Sequence, residues 1–472
     1  MRCVLLCLSF LVTNSIYGNV RKMSRELLSI SQDIRVSKDN IELAKLQFKD
    51  IELQLAPTLG ASYQYSKDEL ESFSGFGASI SGGVIKFPLV SRRSSISLSK
   101  DFSWGGSLSF ENSLQQSELL GLTPVYGFFQ TLSYDQDLLR NLFGRQYRGQ
   151  VSSGEHEVMA TKYRSQYEMD NSLYLFASDY LSAALAKKQI RFQLESIKRT
   201  KKRVALTKKR VRDGLNERVD LVQARVSLLN QEELLVTRQR ELENSLDAIS
   251  RKLHRRINAS EIINLSEGNL KPTGLPKVDL NKTNQINELK EKVKKIKMDH
   301  KMSDNDLYPE LKLNASVQNN DYDAHRSNAF SNGTLGNENK EVTVGLNLSW
   351  TIGSVAEKNK RAQLEIQKNL QIYQLEKTTT NLEKEIASLV KQIKLLEESY
   401  EFSKRRVKLN KRALEEYEKL YKKGRADFDQ VIQAEERLIT TLSDVMISYI
   451  NREKAIYQMA FLGGDLNTFM KL

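Results

Sequence analysis

Residues 212–224 read RDGLNERVDLVQA, and residues 422–434 read KKGRADFDQVIQA. When Gly214 is aligned with Gly424, a glutamine and an alanine also coincide, and apolar residues fall at matching positions. The offset between the two copies is 210 residues. Glycine readily adopts the left-handed conformation that ends a helix and lets the chain reverse. The pattern therefore predicts a duplicated chain with one helical hairpin in each half.

Apolar residues repeat every seven positions on both sides of these turns. A sustained seven-residue repeat is typical of coiled-coil packing, because the apolar seam of a straight helix would drift away from its partner. Before the turns, each seam residue of the first copy lies 210 positions from its counterpart, in the pairs Met169 and Thr379, Phe176 and Ile386, Ala183 and Ile393, Ile190 and Tyr400, Ile197 and Val407, Val204 and Leu414, Val211 and Tyr421. Shorter seams are Leu221, Leu228, Leu235, Leu242 and Ile249; Val431, Leu438 and Val445; Leu27, Ile34, Ile41, Phe48 and Leu55; and Ile286, Val293, His300 and Leu307.

Proline is absent from residues 125–271 and 310–472. Because proline removes a backbone donor and clashes with the preceding turn, its absence favours long uninterrupted helices. A helix from about 148 to 212 would reach on the order of 95 Å at 1.5 Å per residue.

Between the helices, apolar and polar residues alternate with the period of a β-strand. Pro57 and Pro309 stand where helix is expected to give way to strand. Residues 66–125 are rich in Ser and Gly, and we expect an outward loop with an extra hairpin or strand extensions. Residues 319–340 are polar and predict a plain loop. The apolar positions of the four expected strands are Leu59, Ala61, Tyr63 and Tyr65; Phe128, Leu132 and Tyr134; Leu311, Leu313, Ala315 and Val317; and Val342, Val344, Leu346, Leu348 and Trp350.

Composition and the N-terminus restrict the class of protein. The chain has 472 residues with 40% hydrophobic and 28% charged residues, which excludes disordered, collagen-like and disulfide-framework classes. Its net charge of +13 is spread among acidic residues, as expected of solvated helix faces, so nucleic acid is not an expected partner. Residues 1–18, which contain both cysteines, Cys3 and Cys7, read as a secretory signal peptide; a buried N-terminal helix is the alternative. No metal-ligand spacing, cofactor motif or catalytic constellation is found, so we expect no enzyme.

Four good strands do not suffice for a membrane barrel, because closed barrels need roughly eight or more. An open sheet is unstable in lipid, since its edges find no water there. Either the strands are not membrane strands, or several chains close one barrel above a tube of coiled helices.

The chain resembles the TolC family of outer-membrane efflux and secretion channels. The resemblance covers nearly the whole chain after residue 18. It is carried by the duplication, by Ala56-Pro57 and Tyr308-Pro309 before the strands, by QDLLRNLFG at 136–144 with its echo WTIG at 350–353, and by the two Gly-to-Ala turns.

The resemblance implies a mixed fold, with a coiled-coil tunnel and a transmembrane β-barrel in a homotrimer. Each chain would give four strands to a twelve-stranded barrel. The implied periplasmic helical tunnel comprises residues 19–57, 146–256, 280–308 and 354–462. Barrel strands and external loops would occupy residues 58–145 and 309–353, and an equatorial belt would comprise residues 257–279 and 463–472.

By the same resemblance, the two turns lie at the periplasmic tip, where the tunnel narrows and a periplasmic adaptor docks. The implied docking residues are Arg212, Asp213, Gly214, Leu215, Lys422, Lys423, Gly424 and Arg425. Family members often carry acidic residues six and nine positions after the second glycine, where this chain has Gln430 and Gln433. The gate candidates are Asp220, Asp427, Asp429, Gln430, Gln433, Arg218, Arg425 and Tyr421.

Each gate candidate also has a structural interpretation. The aspartates either form a cation-attracting ring in the trimer or cap the N-termini of the returning helices. The basic residues either form ion pairs that hold the tunnel shut or stabilise helix C-termini. Tyr421 fits a packed core better than a gate.

The leading hypothesis is a passive duct in the outer membrane of a Gram-negative bacterium, used for efflux or type I secretion. Its partners would be an inner-membrane pump of the RND or ABC type, a periplasmic adaptor and outer-membrane lipid. The competing hypothesis is a soluble periplasmic coiled-coil scaffold or adaptor, which would dissolve without detergent.

Overall fold

The computed structural model describes residues 15–72, 85–119, 123–265, 274–276, 278–334 and 339–470. Most of the signal peptide expected at 1–18, including Cys3 and Cys7, lies outside these ranges. So do residues 73–84 and 120–122 of the expected outward loop and residues 266–273 and 277 of the expected belt.

Nine α-helices and six strands make up the described part of the chain. None of these helices is both long enough and apolar enough to cross a bilayer. The helices are α1 Ser15–Ile30, α2 Gln32–Leu53, α3 Arg145–Arg212, α4 Arg218–Leu253, α5 Asn284–Asn305, α6 Arg326–Asn332, α7 Val355–Lys422, α8 Phe428–Leu462 and α9 Leu466–Met470. The strands are β1 Thr58–Ser72, β2 Ile85–Asp101, β3 Gly106–Leu119, β4 Val125–Asp137, β5 Glu310–Asp323 and β6 Lys340–Ser349.

The two long helices have matching lengths and surroundings. Both α3 and α7 contain 68 residues, and their first residues lie 210 positions apart. Two consecutive residues with positive φ precede each of them, Phe143 and Gly144 before α3 and Gly353 and Ser354 before α7. The expectation of long uninterrupted helices is therefore confirmed.

The chain divides into two compact units, of which the first is helical. It contains residues 1–42, 161–289 and 374–472. Its core includes residues from the predicted seams, and Phe176, Ala183 and Ile249 are fully buried. The seven-residue pattern therefore identified the packed face of these helices.

The second unit, residues 43–160 and 290–373, contains the sheet. All six strands are antiparallel and follow one another in chain order from β1 to β6. Residues 66–125, where we expected an outward loop with an extra hairpin or strand extensions, contain the full strands β2 and β3, so the sheet has six strands and not the four counted from the sequence. The helix-to-strand changes at Pro57 and Pro309 are confirmed, since β1 begins at Thr58 and β5 at Glu310.

The loop expected at residues 319–340 also differs from the prediction. Strand β5 continues to Asp323, and the short helix α6 follows it. Helix α6 packs against the sheet through Phe330, whose ring centroid lies 4.8 Å from that of Phe128. The apolar Ala329 and Phe330 within this polar stretch account for the packing.

The sheet has one apolar and one polar face. Pairing places Leu59, Leu98, Phe110, Leu132, Val317 and Val342 in one row across all six strands. The opposite face carries mainly hydroxyl and amide side chains, such as Thr58 and Ser99, whose oxygens lie 2.6 Å apart. Along β6 the apolar Val342, Val344, Leu346 and Leu348 are all exposed. A water-soluble sheet buries its apolar face, so this arrangement fits a lipid environment.

Candidate functional site

Both interhelical turns end their long helix with the same hydrogen-bonded cap. Gly214 and Gly424 have φ of +71° and +70°. The amide of Leu215 donates to the carbonyl of Arg210 at 2.8 Å, and the amide of Arg425 donates to that of Leu420 at 2.9 Å. Each glycine amide also donates to the carbonyl three residues before it, Gly214 to Val211 at 3.2 Å and Gly424 to Tyr421 at 3.0 Å. Together these bonds form the Schellman arrangement, which satisfies carbonyls that a helix end leaves free.

The returning helices begin with matching caps that use several gate candidates. The Asp220 carboxylate accepts from the backbone amide of Glu217 at 3.3 Å, and Gln430 Oε1 accepts from that of Asp427 at 3.2 Å. Each pair is a capping box, in which the third residue of the helix bonds back to the capping residue. Asp220 and Gln430 occupy equivalent positions, so the glutamine does the capping work that the aspartate does in the first turn.

Tyr421 lies in the core between the two turns. Its hydroxyl lies 3.1 Å from the buried hydroxyl of Thr207, and its ring packs against Phe428. Arg210 Nη1 donates to the Tyr421 carbonyl at 2.6 Å, while its guanidinium lies 4.8 Å from the ring centroid. Arg210 therefore connects the last turn of α3 to the last turn of α7. Neither Arg210 nor Thr207 was among the site candidates proposed from the sequence.

The remaining candidates form an exposed surface around the turns. In the described part of the chain, neither Arg218 nor Arg425 has an ion pair within 4.0 Å inside the same chain. The exposed candidates are Arg212, Asp213, Leu215, Arg218, Lys422, Lys423, Arg425, Asp429 and Gln433. This surface has an excess of positive charge.

Exposed apolar residues continue away from the first turn along α4. They occur at helical spacing on a single chain, which indicates a seam without an intrachain partner. A second such seam lies on α7. The first set is Leu215 in the turn with Val219, Val222, Val226, Leu229 and Val236 on α4, and the second is Leu395, Phe402 and Leu409 on α7.

A buried ionic cluster, which the sequence did not reveal, joins three helices farther along the hairpins. Glu435 of α8 is only 3% exposed. Its carboxylate accepts from Arg199 Nε at 2.8 Å and from the Ser196 hydroxyl at 3.2 Å, and it pairs with the buried Arg203. Ser196 also donates to Gln231 of α4. Two guanidinium groups thus lie against one carboxylate inside the bundle.

Nothing in the described ranges brings together three His, Cys, Asp or Glu side chains that could hold a metal ion. The geometry of the turns is that of helix caps, packed aromatic rings and an exposed basic surface. Such a site can bind another protein or restrict a passage.

Part of the chain matches a known protein family. Residues 279–458 match the outer membrane efflux protein family. A search of curated protein sequences finds no match.

Solved structures show the same fold along almost the entire chain. A structure of CusC, described with the conformational changes of its folding and transmembrane channel formation, has a TM-score of 0.73 at 15% identity and covers 95% of this chain and 92% of its own. The outer membrane protein VceC from Vibrio cholerae has a TM-score of 0.67 at 14% identity and covers 96% of both chains. The CmeC outer membrane channel of Campylobacter jejuni has a TM-score of 0.69 at 14% identity and covers 95% of this chain and 86% of its own.

The family match over residues 279–458 and the shared fold both support a likeness of this chain to outer-membrane efflux proteins. The resemblance to the TolC family is confirmed. Proteins of this family are transport channels of the Gram-negative outer membrane and not enzymes, and the soluble scaffold hypothesis is not favoured.

Proposed function

We propose that three copies of this chain form a passive duct through the outer membrane, with the helical hairpins forming a periplasmic tunnel. The duct performs no chemistry, and an inner-membrane pump of the RND or ABC type supplies the energy. A periplasmic adaptor delivers substrates for efflux or type I secretion at the tunnel tip. The observation that carries this proposal is the amphipathic sheet, whose apolar face is exposed and whose two edge strands have no second neighbour among the residues that the structure describes.

The exposed apolar seams on α4 and α7 support the assembly of copies. A coiled-coil seam left in water is unfavourable, and a neighbouring copy offers an equivalent helix surface to cover it. The matched lengths of α3 and α7 support an origin of the chain by internal duplication, which would place two similar hairpins from each copy around the tunnel.

The first experiment tests the duct itself. We expect the purified full chain to require detergent, to form a covalent trimer on chemical cross-linking and to give discrete single-channel currents in planar bilayers. A monomer that stays soluble without detergent and gives no current would support the scaffold hypothesis instead.

The turn residues are proposed to hold the tunnel tip closed. Arg218, Arg425 and Asp429 are all exposed. In the proposed closed state the two arginines form ion pairs with carboxylates of neighbouring copies, such as Asp429. We expect Arg218→Glu combined with Arg425→Glu to raise single-channel conductance. The charge-matched control is Lys391→Glu with Arg405→Glu, on an exposed part of α7 remote from the turn in sequence. Unchanged conductance in the first variant would contradict the gate.

The same basic surface is proposed as the adaptor-docking site. Its positive charge favours an adaptor end that carries acidic residues. We expect Lys422→Glu with Lys423→Glu to weaken complex formation, measured by co-purification with the adaptor. Reversal of the facing acidic residues in the adaptor should restore binding, and a failure of every such reversal to do so would argue against charge pairing.

A further inference from the structure

Strands β2 and β3 extend to the end of the sheet at which the helices join it. Their connecting turn, residues 102–105, bonds to that end, since the amide of Asp137 donates to the Gly105 carbonyl at 3.2 Å. Just before the turn, Lys100 Nζ of β2 donates to the Leu55 carbonyl at 2.9 Å. A Cβ on Gly144 would lie 1.6 Å from the Ser103 carbonyl oxygen, so only glycine fits there. The turn is therefore built into the base of the sheet.

The two strands are also paired along their full length. Strand β2 has 17 residues and β3 has 14, whereas about 9–11 residues suffice to cross a bilayer. Residues of β2 pair with β1 from Thr58 to Ser72 and with β3 from Ser107 to Leu119. A hairpin that projected beyond the membrane would not pair residue by residue with β1 and β4 along their full lengths, as β2 and β3 do.

Both strands follow the two-face pattern of their neighbours. Ile96 and Leu98 lie on the apolar face beside Ala61 and Leu59, and both are exposed. Ser95, Ser97 and Ser99 point to the polar face and are half-buried. Because a lipid-facing wall and a water-filled lumen require this alternation, β2 and β3 meet the requirements of barrel strands.

The two edge strands of the sheet, β1 and β6, can pair with the edge strands of further copies. Leu59 on β1 is 76% exposed and Val344 on β6 is 68% exposed, against 42% for Leu132 and 37% for Val317 on inner strands. The number of strands is even, so β6 of one copy runs antiparallel to β1 of the next. Their apolar faces then coincide, and the barrel closes without an edge.

We propose that the duct closes as an eighteen-stranded barrel, to which each of three copies contributes all six strands. The occupant of each sheet edge is thus a second copy of this chain. The proposal rests on the trimeric duct described above and adds the number of strands. Barrel diameter grows roughly linearly with strand number, so the lumen would be about 1.5 times as wide as that of a twelve-stranded barrel. Single-chain porins with 16–18 strands leave an aqueous channel of this kind.

The direct test is electron cryomicroscopy of the full chain in lipid nanodiscs. We expect three copies and eighteen strands in cross-section at membrane level. A trimer with a twelve-stranded wall and β2–β3 outside it would overturn this inference while leaving the duct intact. A particle without a barrel would overturn the duct as well.

A chemical test distinguishes the two faces of β2 and β3. We expect Ser97→Cys in the folded trimer to react with a membrane-impermeant thiol reagent, and the adjacent Leu98→Cys to react only with a lipid-soluble maleimide. Ser109→Cys and Leu108→Cys form a second pair on β3, in case the first does not assemble, and the wild-type chain controls for Cys3 and Cys7. Equal reactivity of both members of a pair toward the impermeant reagent would place the strands outside the wall and contradict the proposal.

Discussion

Tyr421 shows how one side chain fixes the tip of a hairpin. Its hydroxyl and that of Thr207 are buried together, and its carbonyl receives the Arg210 guanidinium. A packed tyrosine at this position stabilises the join between α3 and α7. It is therefore a core residue within a single chain.

Tyr421→Phe should lower stability by about 1 kcal/mol, because the Thr207 hydroxyl loses a buried partner. Adding Thr207→Val should recover most of that loss, since it removes the unsatisfied group. The thermal midpoint of the detergent-solubilised protein measures both effects. An increase in conductance without any loss of stability in Tyr421→Phe would indicate a gate residue instead.

Asp170 is a buried carboxylate, and its hydrogen-bond donors in the described part of the chain are all side-chain amides. It accepts from Gln166 at 3.2 Å, Asn467 at 2.9 Å and Asn284 at 3.0 Å, and so joins α3 to the start of α5 and to α9. Burial raises the pKa of the Asp170 carboxyl to about 6, although the three hydrogen bonds act in the opposite direction. The folded state therefore binds a proton more tightly than the unfolded state does.

This raised pKa predicts a pH-dependent stability. The contribution is fully present below the unfolded pKa near 4 and is lost as pH rises through about 6, with a total on the order of 3 kcal/mol. Asp170→Asn should flatten the change in thermal midpoint between roughly pH 4 and pH 6. Glu168→Gln, which removes a partly exposed carboxylate on the same helix, is the control. If both variants keep the wild-type pH dependence, Asp170 does not cause it.

At the scale of helices, the Glu435 cluster is the main polar connection among α3, α4 and α8. Removing one partner of a buried ion pair leaves an uncompensated charge, which typically costs 3–5 kcal/mol. Removing one member of the cluster should therefore cost more free energy of unfolding than the intact cluster adds relative to an apolar core.

Glu435→Ala should be strongly destabilising, by about 3–5 kcal/mol, because Arg203 remains buried without its partner. Glu436→Ala, at the exposed neighbouring position, should change the thermal midpoint little. Combining Arg203→Met with Glu435→Leu should restore much of the loss, since both buried charges then disappear. A neutral Glu435→Ala variant would show that water reaches the cluster.

The helical elements were largely predictable from sequence because their signals are local and repeated. Gly214 and Gly424 mark chain reversal, and residues such as Phe176 and Ile249 recur at coiled-coil spacing. Glu435 gave no such signal, since a charged residue near a seam usually faces solvent. Only the three-dimensional meeting of Arg199, Arg203 and Glu435 reveals the cluster.

The strand number was not predictable for a physical reason. Within β2, Ile96 and Leu98 are the apolar residues of a mostly serine and arginine stretch from 91 to 99. Serine favours turns in water-soluble proteins, but it is well suited to the polar wall of a membrane barrel. Only the pairing of β2 with β1 and β3 in the folded sheet shows that these residues form a strand.

At the scale of the whole molecule, membrane insertion depends on the contrast between adjacent residues of β6. Val344→Lys places a charge on the apolar face and should cost about 2–4 kcal/mol if it lies near the bilayer centre. Thr343→Lys adds the same charge to the polar face and should be tolerated. The amount of chain that resists urea extraction from outer-membrane fractions measures the difference. Equal losses for the two variants would argue against a lipid-facing apolar side.

The polar face of the sheet has a consequence for what the duct can discriminate. Pairs such as Ser62 and Ser95, whose hydroxyls lie 2.8 Å apart, can donate to or accept from passing water and solutes of either charge. Because most side chains of this face are uncharged hydroxyls and amides, it offers little basis for telling one polar solute from another. Sorting of cargo would then fall to the machinery upstream, and the exit itself would be indiscriminate.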